Sequence, residues 1–250
     1  MTRLWIVIPC VQESGRFEAT LASVLRNRPD DCEVMVVQPR HYDDPYSLQD
    51  EVRFVEAPAG SSLVDLLNVG LEQSSGEILH LLSCDVEVLD GWTLDALARF
   101  DDPTIGSLSP LIVRKQALEQ VVSRGLRYGM GGSRKLCRGH SARNLDVLAP
   151  TLAAGMYRRQ AVIDAGGFAS VVGDGLADVE LGMALQQSGY RCLHEDQALI
   201  TTEGVAEHAH LSIADGQAAE RLFWQHYHDQ GSWWALLVAH PLTLLTEFLW

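Results

Sequence analysis

The pattern of apolar and polar positions in the first hundred residues alternates between strand-like and helix-like segments. Four short apolar runs, each bounded by polar or turn-forming residues, predict β-strands at residues 4–8, 33–37, 52–55 and 78–82. Between them, apolar residues recur at helical spacing at residues 17–25 and 63–70. Ser62 and Asp65 have the spacing of a capping box, which predicts that the second helix begins after Ser62. Strands that alternate with helices in this way predict an α/β fold with a mostly parallel sheet.

The second half of the chain has a less regular pattern. Residues 105–113 and 190–193 predict strands, and residues 159–165 and 177–188 predict helices that end at glycine. Residues 114–143 hold eight of the nineteen basic residues and only one acidic residue. Within that window, the glycines and cations of residues 129–135 suit a mobile segment that closes over anionic groups. They equally suit a solvated surface loop.

Composition narrows the range of partners. The 250 residues include 33 acidic and 19 basic side chains, a formal charge of −14, and such a balance disfavours nucleic acid as a ligand. The five cysteines are spread along the chain without a C-x-x-C pair, so neither a disulfide framework nor a structural zinc site is predicted. No export signal is visible at the start of the sequence. We therefore expect a cytoplasmic protein with a small ligand.

The C-terminal residues are unusually apolar. Residues 232–250 contain thirteen apolar residues, including Trp233, Trp234 and Trp250. A membrane-spanning helix needs roughly 20 consecutive apolar residues, and this segment is interrupted by His240, Pro241 and Glu247. Two uses are open: short helices that pack on the domain or on a second copy in a homodimer, and a peripheral contact with a membrane, with tryptophans at the headgroup level.

One predicted strand ends on a carboxylate. The apolar run Ile78–Leu82 stops abruptly at Ser83, and Asp85 follows two residues later. Ligands of α/β folds bind beyond the carboxyl ends of the strands, so Asp85 is a candidate ligand-binding residue. An aspartate at this position can also do no more than cap a turn.

Four blocks of the sequence, in order, resemble the inverting family 2 glycosyltransferases, which have the GT-A fold. Residues 6–13 are similar to the first strand and P-x-x-N-E turn of that family, with Gln12 in place of Asn. Residues 76–92 are similar to its G-E segment with a D-x-D motif and a trailing Gly-Trp, and residues 158–168 to its R-R and G-G-F block. Residues 178–191 are similar to its E-D-x-D-L helix and G-Y-R exit.

The resemblance implies a division of the chain and a set of functional residues. A GT-A-type, Rossmann-like domain is expected over residues 1–228, with a nucleotide-binding half at 1–100, an acceptor and catalytic half at 101–228, and a hydrophobic C-terminal extension at 229–250. Asp178 matches the general base. A divalent cation, Mn²⁺ or Mg²⁺, is expected on Asp85, with His208 as a further ligand. The donor pocket is expected to be lined by Pro9, Cys10, Gln12, Glu13, Gln38, Ser83, Cys84 and Asp85.

The sequence departs from the family where the donor is expected to bind. Gln38 replaces a strand-end Asp, Ser83 replaces the first Asp of the D-x-D motif, and Ala177 replaces the Glu before the base. Loss of three carboxylates weakens the attraction for a metal ion and changes nucleotide selectivity. Candidates that could compensate are Glu87, Asp174, Glu180, His208 and His210.

The resemblance implies an enzyme that moves a sugar from a nucleotide-diphosphate donor to a hydroxyl acceptor, saccharide or lipid-linked, with inversion. The alternative is a catalytically impaired relative that binds a nucleotide sugar or a protein partner. A sugar nucleotidyltransferase is disfavoured, because residues 9–13 lack the glycine-rich phosphate loop of that class. Catalysis requires Asp85 and Asp178 to face each other across one cleft, with neither closed into an ion pair.

Overall fold

The computed structural model describes residues 3–11, 15–40, 42, 44–139, 147–204, 213–229 and 233–243. The strands, in chain order, are β1 (Leu4–Pro9), β2 (Cys32–Gln38), β3 (Arg53–Glu56), β4 (Ile78–Leu82), β5 (Val86–Val88), β6 (Ile105–Arg114), β7 (Ala117–Ser123), β8 (Leu126–Tyr128), β9 (Arg134–Leu136), β10 (Ala154–Arg158) and β11 (Arg191–Thr202). The helices are α1 (Gly15–Asn27), α2 (Leu63–Gln73), α3 (Leu94–Arg99), α4 (Arg159–Asp164), α5 (Ala177–Gln187) and α6 (Ile213–Asp229), with a 3₁₀ turn at Ser170–Val172 and a π-helical turn at Ala235–Ala239.

Strands β3, β2, β1 and β4 lie side by side and are parallel, as the sequence predicted. Every residue of β1 and β4 is buried, because helices cover both faces of this part of the sheet. Alternate residues of β1 pack on opposite sides: Ile6 joins the core beneath α1, and Val7 joins the core beneath α2. Helix α2 begins with the predicted capping box of Ser62 and Asp65.

Beyond β4 the sheet becomes mixed. Strand β10 is antiparallel to both of its neighbours, β4 and β6, whereas β6 and β11 are parallel. Strand β5 closes one edge antiparallel to β11, and β7 pairs with β6 as a hairpin. The chain enters β10 from residues 147–153, which contain no helix.

The basic window contains strands that the sequence pattern did not predict. Strands β8 and β9 form a hairpin in which Arg127 lies opposite Lys135, and Tyr128 lies opposite Arg134. Leu126 and Tyr128 pack against α5 and α6, whereas Arg127 and Lys135 are exposed. Three-residue strands with one cation in β8 and two consecutive cations in β9 are too short and too polar for a clear strand pattern.

The buried strand β4 contains one polar side chain, His80. Its Nδ1 atom lies 3.0 Å from the Gly155 carbonyl oxygen, and its Nε2 atom lies 3.0 Å from the Trp92 Nε1 atom. A carbonyl only accepts and an indole N–H only donates, so the ring carries its proton on Nδ1 and is neutral. Burial lowers the pKa of His80 to about 4.

His80 is therefore expected to make the fold sensitive to mild acid. The unfolded chain takes up a proton near pH 6.5 whereas the folded chain does so near pH 4, so stability is lost as pH falls through this interval. Between pH 7 and pH 5, protonation linked to His80 lowers the free energy of unfolding by about 2 kcal/mol. Urea unfolding at both pH values should therefore show that the wild type loses about 2 kcal/mol more than His80→Gln. Equal losses in the two proteins would contradict the assignment.

Candidate active site

The predicted donor residues that the structure describes lie at one edge of the sheet, where three parallel strands end. Cys10 follows β1, Gln38 ends β2, and Asp85 lies three residues beyond β4. Backbone hydrogen bonds hold these strand ends against adjacent segments: the Cys10 amide donates to the Val37 carbonyl at 2.8 Å, and the Ser83 amide donates to the Ala153 carbonyl at 2.9 Å. This is the edge at which α/β folds bind ligands.

Asp85 is half-buried in a turn after β4. The Ser83 hydroxyl donates to the Asp85 Oδ1 atom, and the Asp85 carbonyl accepts a hydrogen bond from the Thr202 hydroxyl at 2.9 Å. The backbone of Asp85 is thus fixed to β11, while its carboxylate and the Ser83 hydroxyl place two oxygen atoms side by side. Asp85 therefore both stabilises the turn after β4 and provides a carboxylate at the edge where the strands end.

Two thiols form part of the same edge. The Cys84 thiol donates to the Pro9 carbonyl at 3.2 Å. The hydrogen bond between the Cys84 and Cys10 side chains, together with burial, raises the pKa of Cys84 far above its usual range. Cys84 therefore carries no thiolate charge at pH 7, and both sulfur atoms add polarisable surface to the edge.

Gln38 has a buried acceptor. Its side chain is only 3% exposed, and its Oε1 atom has no hydrogen-bond partner among the residues that the structure describes. An unsatisfied buried carbonyl costs about 1–3 kcal/mol. The N–H group of a bound ligand at the end of β2 would remove that cost.

Asp178 lies in the first turn of α5 and is 2% exposed. Its Oδ2 atom lies 2.6 Å from Arg134 Nη2, and its Oδ1 atom accepts from Arg134 Nε at 3.1 Å and from the Val179 amide at 2.9 Å. Both carboxylate oxygens are occupied, so the pair with Arg134 is closed and bidentate. This arrangement differs from the open carboxylate that the sequence interpretation required.

Tyr157 lies close to that ion pair. Burial, together with the charge of Asp178, raises the pKa of Tyr157 well above its usual value. Its hydroxyl has no hydrogen-bond partner among the described residues. Asp178 is thus paired with a guanidinium on β9 and lies within electrostatic range of a neutral phenol on β10.

Residues 147–153 contact the regions around both Asp85 and Asp178. The Ala153 carbonyl binds the Ser83 amide near Asp85. Helix α5 approaches the same segment so closely that a Cβ atom at Gly182 would lie 2.7 Å from the Ala149 Cβ atom. The turn that contains Asp85 and the helix that contains Asp178 therefore both pack against residues 147–153, although the two acids are 93 positions apart in sequence.

Of the carboxylates proposed as substitutes for the missing ones, two are bound to other groups and the third lines a separate cavity. Glu87 pairs with Lys115, and Asp174 accepts from the amides of Leu63 and Val64 at the start of α2. Glu180 lines a cavity of about 250 Å³ between α5, α6 and the 3₁₀ turn, where burial raises its pKa. Gln12, Glu13, His208 and His210 lie outside the described residues.

The oxygen atoms near Asp85 suit a hard cation that is shared with a substrate. Within the described ranges, no group of three or more His, Cys, Asp or Glu side chains could by itself hold a metal ion. Mg²⁺ sites in phosphate-transferring and related enzymes commonly use one or two carboxylates and complete their coordination with phosphate and water. The Asp85 carboxylate and the Ser83 hydroxyl fit such a partial set.

Arg134 is the functional candidate that the sequence did not identify. The excess of cations in residues 114–143 suited either contact with an anion or a solvated surface loop, and it singled out none of the cations. The structure shows that one of these cations binds a carboxylate of the chain itself, 44 positions away.

Comparisons with known proteins agree with this architecture. Residues 5–164, more than half of the chain, match the family model described as Glycosyl transferase family 2. Among curated protein sequences, none matches the chain significantly.

Two solved structures are similar in fold. One is the mannosyltransferase PcManGT from Pyrobaculum calidifontis in complex with GDP-Man and Mn²⁺, with a TM-score of 0.65 and 17% identity over 96% of this chain and 72% of that chain. The other is GalNAc-T7 with UDP, GalNAc and Mn²⁺, with a TM-score of 0.69 and 14% identity over 91% of this chain and 50% of that chain. The predicted GT-A-type α/β fold, a curled central sheet flanked by helices, is confirmed.

Proposed function

Because the chain belongs to glycosyl transferase family 2, we propose that it transfers a sugar, with inversion, from a nucleotide-diphosphate donor to a hydroxyl acceptor. The observation that carries this proposal is the convergence of β1, β2 and β4 on one edge that presents Gln38 and Asp85. The two solved structures similar in fold were determined with GDP-Man or UDP and with Mn²⁺, and this supports a nucleotide sugar as donor.

The donor is expected to lie along this edge. Gln38, whose Oε1 atom is buried and unsatisfied, would turn toward the edge and accept a hydrogen bond from the nucleotide base. The turn that begins at Pro9 and Cys10, together with Gln12 and Glu13, would border the nucleotide. Ser83, Cys84 and Asp85 would lie beside the diphosphate.

Asp85 would hold the divalent cation, and His208 remains the predicted further ligand. When bound, such a cation supplies positive charge that stabilises the departing nucleoside diphosphate. Asp178 would act as the general base: its carboxylate would accept the proton of the acceptor hydroxyl as that oxygen attacks the anomeric carbon.

Asp178 cannot accept that proton while Arg134 occupies both of its oxygens. Transfer therefore requires the β8–β9 hairpin, or at least the Arg134 side chain, to move away. The tip of this hairpin contains Gly129 and Gly132, and Gly132 has a φ of +89° that favours glycine. A bound diphosphate would offer the guanidinium an alternative anionic partner.

A second function is favoured by the same ion pair. A chain that has lost three family carboxylates and whose candidate base is closed by Arg134 could bind a nucleotide sugar, or a protein partner, without turnover. Donor binding is common to this alternative and to the enzyme, whereas release of nucleoside diphosphate belongs to the enzyme alone.

Calorimetric titration with UDP and GDP, with and without Mn²⁺, tests the donor site. Asp85→Asn is expected to weaken Mn²⁺-dependent binding at least ~10-fold, the lower limit seen even when outer-shell metal ligands are removed. Asp95→Asn is the matched control, because Asp95 is exposed on α3, away from the strand ends. Failure of both nucleotides to bind, or equal binding by Asp85→Asn and wild type, would contradict the proposed donor site.

A further inference from the structure

Large apolar side chains are exposed together near the C-terminal end of the described chain. Six of them are between 47% and 69% exposed. We call them the aromatic surface, and they are Met130, Trp224, Trp233, Trp234, Leu237 and Leu242. Half are tryptophans, and five of the six come from α6 and residues 233–243.

Specific contacts fix the segments of the aromatic surface to one another. His240 stacks on Phe223 of α6 with ring centroids 3.8 Å apart, and its ring meets that of Trp224 edge-on at 6.3 Å. The His240 Nδ1 atom lies 2.9 Å from the Gly131 carbonyl oxygen, next to Met130 at the tip of the β8–β9 hairpin. The His240 Nε2 atom lies 2.9 Å from Glu220 Oε1. Helix α6, residues 233–243 and the hairpin tip are therefore packed against one another.

Exposed apolar residues of this size and number rarely occur together on a protein that remains in water. The chemistry of the side chains suggests what covers them. Tryptophan combines a large apolar ring with an N–H donor, and it is enriched where a protein meets lipid headgroups. No helix among the described residues is both long and apolar enough to cross a membrane. Exposed tryptophans and leucines of this kind suit contact with the membrane surface.

Cations on the β8–β9 hairpin, whose tip carries Met130, point to anionic lipid. The one acid in contact with the aromatic surface among the described residues, Glu220, is hydrogen-bonded to Trp224 and lies 2.9 Å from His240. Arg127 and Lys135 lie opposite each other on the exposed face of the hairpin, and Arg138 is exposed just beyond it. Lipid phosphates attract such a group of cations, and the interaction decays within a Debye length of about 8 Å. The net charge of −14 therefore acts on a membrane mainly through the side chains that approach it.

A second copy of the chain is a less suitable partner. A symmetric contact through the aromatic surface would bring together two hairpins that each carry this group of cations. That contact between like charges is repulsive, whereas an anionic membrane offers opposite charge to the hairpin and apolar volume to the tryptophans.

From these observations, we propose that the aromatic surface binds to membranes that contain anionic phospholipids. Trp233 and Trp234 would insert at the headgroup level, and Arg127 and Lys135 would contact lipid phosphates. This proposal does not depend on glycosyl transfer, because it rests on exposure and charge alone.

Co-sedimentation of the purified chain with vesicles tests the proposal. Vesicles of phosphatidylcholine with roughly 30% phosphatidylglycerol should bind the wild type, and binding should weaken at high salt. The double variant Trp233→Ser/Trp234→Ser should bind about tenfold more weakly, since binding scales with inserted apolar area. Leu94→Ser/Tyr46→Ser is the control, because these side chains are similarly exposed elsewhere.

A second pair of variants tests the contribution of the hairpin cations to membrane binding. Arg127→Gln/Lys135→Gln should lose most of the preference for anionic over neutral vesicles, whereas Arg16→Gln/Arg26→Gln on exposed positions of α1 should retain it. Circular dichroism and thermal unfolding establish that each variant is folded.

Three results would overturn the proposal. The first is absence of wild-type binding to anionic vesicles, and the second is equal binding by the wild type and Trp233→Ser/Trp234→Ser. The third is a wild-type dimer, detected by sedimentation velocity at the vesicle-assay concentration, that dissociates in this tryptophan double variant. That last result would show that a second copy covers the aromatic surface.

Discussion

Asp178→Asn is expected to lower the rate of sugar transfer by about 10²–10⁴-fold, the usual contribution of a general base. The substitution keeps the shape of the side chain and removes its ability to take the acceptor proton. Donor affinity should change little, because the base acts on the acceptor. Initial rates at saturating donor, together with calorimetric donor titration, separate the two effects.

Glu180→Gln is the matched control for this variant. Glu180 is also acidic and lies on α5, but it faces the cavity between α5 and α6, away from Arg134. Its replacement should leave the transfer rate within a few-fold of wild type. If Asp178→Asn loses donor affinity and transfer to the same extent, Asp178 has a structural or donor-binding role and is not the base.

Arg134→Ala is expected to lower the free energy of unfolding by about 3 kcal/mol. Removal of the guanidinium leaves the carboxylate of Asp178, which is 2% exposed, without its charged partner. Loss of one member of a buried ion pair costs about this much. Asp178→Asn should cost less, because Arg134 is 29% exposed and its guanidinium can be solvated. Urea unfolding at pH 7 gives both values.

The double variant Arg134→Ala/Asp178→Asn completes a thermodynamic cycle. Its loss should be smaller than the sum of the two single losses by about 1–3 kcal/mol, the coupling expected for residues in contact. Arg127→Ala is the control within the same hairpin, because Arg127 points to the exposed face. Equal, small losses for Arg134→Ala and Arg127→Ala, with no coupling to Asp178, would show that the closed pair does not form in solution.

The first half of the fold could be predicted because its strands and helices carry strong local patterns. The apolar run Ile78–Leu82 corresponds to β4 without any shift of its ends, and the Ser62 and Asp65 capping box begins α2 as predicted. Fully buried parallel strands are continuous apolar runs, and these are easily distinguished from amphipathic helices.

The second half depends on contacts that the local sequence does not encode. Strand β10 is antiparallel to β4 and β6, and both of these partners are distant from it in sequence. Strands β5, β8 and β9 have only three residues each, too few to show a period of two.

Only part of the candidate site could be predicted from the sequence. The strand-end positions of Gln38 and Asp85 follow from the order of the apolar runs. The partner of Asp178 does not, because several cations in residues 114–143 could have reached it. Only the hairpin register, which places Arg134 opposite Tyr128 and on the face toward α5 and α6, selects one of them.

Release of nucleoside diphosphate is the measurement that separates a glycosyltransferase from a nucleotide-sugar-binding relative. The wild type and Asp178→Asn would be incubated with UDP- and GDP-linked sugars and Mn²⁺, and free UDP or GDP would be quantified by chromatography. We expect the wild type to consume at least one donor, and Asp178→Asn to bind that donor normally while its turnover falls to background. Binding of a donor by the wild type with no release of nucleoside diphosphate from any of them would contradict catalysis and favour the binding function.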